Sequence, residues 1–114
     1  MGAALVIHPD GDIVDVNLNP GRSHLELKHE HLNCAAADVV SLTSVLDMWF
    51  DPAGPARQPF NALATVLART YGRTLPYFGP VLICGCTAEG ASADLDRAQV
   101  LALLTRLEDL AYRL

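Results

Sequence analysis

The 114-residue chain is 51% hydrophobic and 18% charged. That is the size and composition of one domain burying a core without disulfides, and it excludes intrinsic disorder. Its 13 acidic and 8 basic side chains leave a net charge of −5, all of it in residues 1–60, which hold eight acidic and three basic groups; residues 61–114 hold five of each. No basic patch is present to track a phosphate backbone, so direct nucleic-acid binding is not expected. An acidic face suits a basic protein partner or plain solvation. The 3 cysteines cannot all pair within one chain and are not spaced as a disulfide framework, which suits a reducing compartment.

The N-terminus "MGAALVIHPDG" has no basic region and only a short apolar run, Ala3 to Ile7. Neither a signal peptide nor a membrane span is expected, and a cytoplasmic location follows. Gly2 is no myristoylation start, because that motif wants Ser or Thr where Val6 stands. "ALVI", "HPDGD" and "IVDVNLN" read as a hairpin: Pro9 fixes φ, Gly11 accepts a positive φ, and Val14, Val16 and Leu18 alternate with polar residues. "NPG" at 19–21 stops the second strand.

"SHLELKHEHLNC", residues 23–34, gathers His24, His29, His31 and Cys34. Ser23 followed by Glu26 has capping-box spacing, and Leu25 and Leu32 share one helical face, which favours a short helix. His24, Lys28 and His31 then lie on one side, and the lysine ammonium between two ligands opposes a cation. A strand reading also fits the alternation. It points His29 and His31 the same way, a sound pair for zinc with Cys34 as third ligand. The bland alternative is a set of solvated or capping histidines.

"ADVVSLTSV" reads as a strand, and "LDMWFD" as its hairpin partner or a bulged continuation. "DPAGPARQP" reads as an irregular loop. Asn61 caps a helix over "ALATVLARTY" with an apolar stripe of Leu63, Val66, Leu67 and Tyr71, and Gly72 stands at its C′ position. "RTLPYFGP" is a second loop, and "VLICGC" a central strand covered on both faces, with Cys84 and Cys86 on one side as small core residues. "TAEGAS" turns the chain, and Asp94 or Asp96 caps a long last helix whose stripe of Val100, Leu104, Leu107, Ala111 and Leu114 packs inward. Leu103 and Leu110 widen that face beyond what a small sheet covers, which points to a homo-oligomer, most simply a homodimer.

No catalytic template is present: no G-x-S-x-G, no P-loop and no dinucleotide fingerprint. What stands out is aromatic. Trp49, Phe50 and Asp51 in "DMWFDP", with Tyr77 and Phe78 in "LPYFGP", are candidates for a partner-binding surface. The competing reading is that these rings close the edges of the core.

Three stretches, "ALVIHPDGDIVDV", "FDPAG…PFNALATVLA" and "GPVLICG" followed by "DLDRAQVLALL", resemble a small family of unknown function found in actinobacteria and their phages. The resemblance covers roughly half to two thirds of the chain, and the sequence departs from it at "LNCAAAD", where a glycine-rich link is expected. It implies a single α+β domain with a short helix between the second and third strands, no assigned activity, and a phage or mobile-element accessory role. The expectation is therefore one α+β domain over residues 1–114. It has a mixed or antiparallel sheet of about four to five strands, an N-terminal hairpin, two short helices and a long C-terminal helix. Its expected function is non-enzymatic binding of a protein, inhibition of a host system being one form; the alternative is a small metal- or ligand-binding protein, with zinc at His24–Cys34 or a pocket at a dimer seam.

Overall fold

A computed structural model describes residues 4–17, 24–34 and 36–114, with side chains from Lys28 onward in the second of these spans. The strands are β1 (Ala4–Ile7), β2 (Ile13–Val16), β3 (Asp38–Thr43), β4 (Leu46–Phe50), β5 (Val81–Cys86) and β6 (Ser92–Ala93). The helices are α1 (His24–Leu32), α2 (Gly54–Arg57), α3 (Ala62–Thr70) and α4 (Arg97–Arg113). The six strands form one sheet in the order β2-β1-β5-β4-β3, with β6 also paired to β5. Every pairing is antiparallel, so the fold is α+β as expected, with an entirely antiparallel sheet.

Strand alternation sorts the apolar residues into two layers. On one face Leu5, Ile7, Met48, Val81 and Ile83 pack with Leu63 and Leu67 of α3 and Leu103 and Leu107 of α4. On the other, Ala4, Val6, Leu82 and Cys84 pack with Leu32 of α1, bordered by Trp49 and Cys34. β5 is therefore enclosed from both sides, as its apolar run implies.

The turns follow the local chemistry. His8 N–H donates to Asp12 O (2.8 Å), Gly11 N–H to His8 O (2.9 Å), and Asp12 N–H to Asp10 Oδ1 (2.9 Å), with Gly11 at φ +92°. β3 and β4 make an antiparallel hairpin, so "LDMWFD" is the hairpin partner and not a bulged continuation; a register shift lies between Ser41 and Thr43. Along β3, Val39 N–H is taken by Asp38 Oδ1 (2.8 Å) and Ser41 O by Arg73 Nε (2.7 Å). α3 ends in a Schellman pair, Gly72 N–H to Arg69 O and Arg73 N–H to Ala68 O, both 3.0 Å. Asp96 caps α4 in a full capping box with Gln99.

Several sequence expectations need correction. The 51–59 loop contains a helical turn, α2, because Pro55 sits at its start, where no N–H is needed. "TAEGAS" ends in the short strand β6. In α4 the inward line runs through Val100, Leu103, Leu104, Leu107 and Leu110. Ala111 and Leu114 are exposed, because the last four residues outrun the surface beneath them. Leu103 is buried in the core and Leu110 is partly buried against it. The strand reading of 23–33 gives way to α1; the Ser23 cap and the "NPG" stop lie outside the described residues.

Candidate functional site

Two loops far apart in sequence meet beyond the end of β4. Asn61, at the N-cap of α3, is 1% exposed and holds both sides of the junction. Its Nδ2 donates to Ile7 O (3.0 Å) and Gly79 O (2.9 Å), its Oδ1 accepts from Ala64 N–H (3.0 Å), and its own N–H reaches Tyr77 O (2.9 Å). One turn on, Thr65 Oγ1 donates to Asn61 O (2.8 Å) and accepts from Tyr77 N–H (2.9 Å). The Asn61–Thr65 turn therefore fixes residues 77–79 against the sheet, and with them the rings of Tyr77 and Phe78.

Asp51, 3% exposed, organises the facing loop. Its Oδ1 accepts from Ala53 N–H and its Oδ2 from Gln58 Nε2, both 2.9 Å, with Arg57 Nε 3.8 Å away. Arg57 also donates to Asn33 O (3.0 Å), tying the loop to the end of α1. The two loops interlock through glycines: a Cβ on Gly54 would sit 2.7 Å from Phe78 O, and one on Gly79 2.5 Å from Gln58 Oε1. Gly79 also has φ +79°. Gly79→Ala should displace the Gln58 amide from Asp51 and cost about 1–3 kcal/mol of left-handed strain and lost hydrogen bonding. Urea unfolding of the variant measures this; a cost near zero would show that the interlock does not hold the loop.

Between the loops lies a pocket of about 300 Å³ walled by Phe50, Leu75, Tyr77 and Phe78 and rimmed by Pro52, Pro55 and Pro76, with Asp51 at its side. Phe50 and Tyr77 meet edge to face, with centroids 5.1 Å apart at 76°. Burial pushes the Tyr77 phenol pKa up against the pull of Arg73. The volume is at the small end for ligand sites, about 300–1,000 Å³, and suits one apolar side chain better than a whole cofactor.

Of the candidate binding residues, Phe50, Asp51, Tyr77 and Phe78 are brought together here. Trp49 is not. It alternates to the α1 face, where its ring centroid lies 3.6 Å from Lys28 Nζ. Leu75, 66% exposed, was missed by sequence reasoning; only its place beside Pro76 in an aromatic loop signals it.

Lys28 was missed as well. It lies four residues before the buried Leu32, on the inward side of α1, and is 3% exposed. Its Nζ donates to Ser92 Oγ. Desolvation holds its pKa below the ordinary value, opposed by the charges of Cys84 and Asp47. Burial pushes the Cys84 thiol up despite the nearby Lys28, and the Cys34 thiol up as well. Cys86 is half-buried, its Sγ 3.3 Å from Ser44 O.

Among the proposed zinc ligands, the His24 side chain lies outside the described residues, and α1 turns His29 and His31 away from one another. Among the described residues no group of three or more His, Cys, Asp or Glu side chains is placed to hold a metal ion, and no helix is long and apolar enough to cross a membrane. Compared with known proteins, the chain matches no family model, no curated protein and no solved structure.

Proposed function

We propose that the protein is a non-enzymatic accessory domain that works by binding another protein, with the pocket between the 51–57 and 75–78 loops receiving an apolar anchor side chain of the partner. The observation that carries this reading is the convergence of Phe50, Leu75, Tyr77 and Phe78 on one preformed apolar cavity of side-chain size. Buried anchors in such cavities supply most of an interface's affinity. The likeness of the hairpin, the Asn61–Thr65 helix start and the "GPV" strand to a family of actinobacteria and their phages gives this role its setting, that of a phage or mobile-element accessory protein acting on a host system.

Leu75→Glu tests the reading without touching the core, since Leu75 is largely exposed. Proteins retained by the wild type on affinity capture should be lost at least about ten-fold with this variant, the effect of removing one good anchor contact. They should be kept by Leu101→Glu, an exposed leucine on α4. Equal capture by all three proteins would overturn the pocket as the binding site.

A further inference from the structure

Phe78 has a second neighbour. Residues 59–61 run antiparallel to 77–79, with Phe60 directly opposite Phe78 and Gly79 N–H bonded to Pro59 O (2.7 Å). Directly opposed residues place their side chains on the same face, and the two rings meet edge to face with centroids 5.4 Å apart. Phe60 is 49% exposed. The pair forms a ridge: Phe78 walls the pocket already described, and Phe60 walls a shallower one formed with His8, Pro9, Asp10 and Pro59. Two hollows thus flank one aromatic ridge, with different chemistry in each.

We propose that this ridge and its two hollows bind an extended, proline-bearing segment of the partner, with an apolar residue in the Leu75–Tyr77 pocket and a basic side chain in the His8–Asp10 hollow. The proposal rests on the protein-binding reading above and adds the kind of segment recognised. A helix laid in a groove needs a continuous trough for anchors at i, i+4 and i+7, and the Phe60–Phe78 ridge interrupts any such trough. Strand addition is disfavoured at the free edge of β3, where Asp38 and Arg73 side chains already occupy Val39 N–H and Ser41 O. A polyproline II segment rises about 3.1 Å per residue with three residues per turn, so residues three apart point the same way about 9 Å from each other. The ridge is two rings wide, with centroids 5.4 Å apart, and residues three or four apart in such a segment reach across it. The aromatic and proline walls match such segments, whose stiffness lowers the entropy cost of binding.

Charge selects the second residue. Asp10 is exposed, has no ion pair among the described residues, and stands two residues from Asp12 in the acidic half of the chain. No Lys or Arg lines the hollow, so a basic side chain meets an uncompensated carboxylate there.

The test is selection of short random peptides displayed on phage against the wild-type protein, followed by titration of the best synthetic peptide. The enriched set should contain proline, an apolar residue and, within three or four positions of it, Arg or Lys. Phe60→Ser, at an exposed ring, should weaken the peptide at least about ten-fold. Asp10→Asn keeps the Oδ1 acceptor of the hairpin turn and should weaken it several-fold with a shallower salt dependence. Unchanged thermal melts of both variants would show that the loss is at the surface. Enrichment of apolar peptides with helical spacing, or binding untouched by Phe60→Ser and Asp10→Asn but lost with Leu75→Glu, would overturn the proposal and leave the pocket reading standing. No enrichment, with partner capture still lost in Leu75→Glu, would likewise rule out a linear segment. No enrichment, with capture unaffected by Leu75→Glu, would remove both.

Discussion

Asn61→Ala should lower the free energy of unfolding by about 3–5 kcal/mol, as much as truncating a fully buried core leucine. Three losses combine. The N-cap of α3 disappears, worth about 1 kcal/mol. The carbonyls of Ile7 and Gly79, which accept from Asn61 Nδ2, lose their donor inside the protein. Each buried acceptor left unpaired costs about 1–3 kcal/mol, with part recovered where water can enter. Native domains have only about 5–15 kcal/mol in hand, so the variant should be close to unfolding under mild urea. Asn61→Asp makes the argument specific. It keeps the cap acceptor for Ala64 N–H but aims a carboxylate oxygen at two carbonyls, so it should be as damaging as alanine. If aspartate restored wild-type stability, the capping bond alone would account for Asn61, and the link from β1 to residues 77–79 would carry no weight. Because that link positions Tyr77 and Phe78, partly destabilised variants should also lose the pocket.

Asn61 illustrates what was legible in the sequence. Its capping role, with Gly72 at the far end of α3, follows from residue type and spacing, as do the Pro9–Gly11 turn and the enclosed character of β5. These features are set within a few residues of chain. Its two long-range bonds depend on where Ile7 and Gly79 come to lie, 54 and 18 residues away, and no local rule encodes that. The candidate site divides in the same way. Trp49, Phe50, Tyr77 and Phe78 stand out by type, but strand alternation sends Trp49 to the α1 face and Phe50 to the α3 face, and only the packed register decides which of them meets Tyr77. The ridge needs Phe60 and Phe78, which lie on different segments and pair through a single bridge. The exposed Leu75 carries no pattern at all. In α4 the apolar stripe is readable, yet where the supporting surface ends is a property of the whole fold, so Ala111 and Leu114 fall outside the core.

Lys28 carries the second large effect, and its sign depends on the replacement. The side chain is buried at the α1–sheet boundary, with its ammonium 3.6 Å from the Trp49 ring centroid and donating to Ser92 Oγ. Lys28→Ala removes a buried side chain and leaves a void at the α1–sheet boundary, which should cost about 2–4 kcal/mol. Lys28→Met refills most of that volume without a charge to desolvate, and should be neutral or stabilising. The pH dependence separates desolvation from packing. In the folded chain burial holds the Lys28 pKa below its ordinary 10.5, so between the folded value and 10.5 the unfolded chain binds a proton that the folded chain lacks. Stability contributed at this site therefore rises with pH through that window, and the full penalty is felt below it. Urea unfolding at a series of pH values from neutral to 10.5 should show the wild type gaining on Lys28→Met as pH climbs. Tyr77 and Cys34, which burial pushes the other way, titrate in both proteins and drop out of the difference. A flat difference would mean that the ammonium keeps its solvation and that α1 is held by Leu32 and its apolar neighbours alone. A rising one would make the Lys28–Trp49–Ser92 contact a built-in weakness of the α1 layer, relieved when the lysine loses its proton.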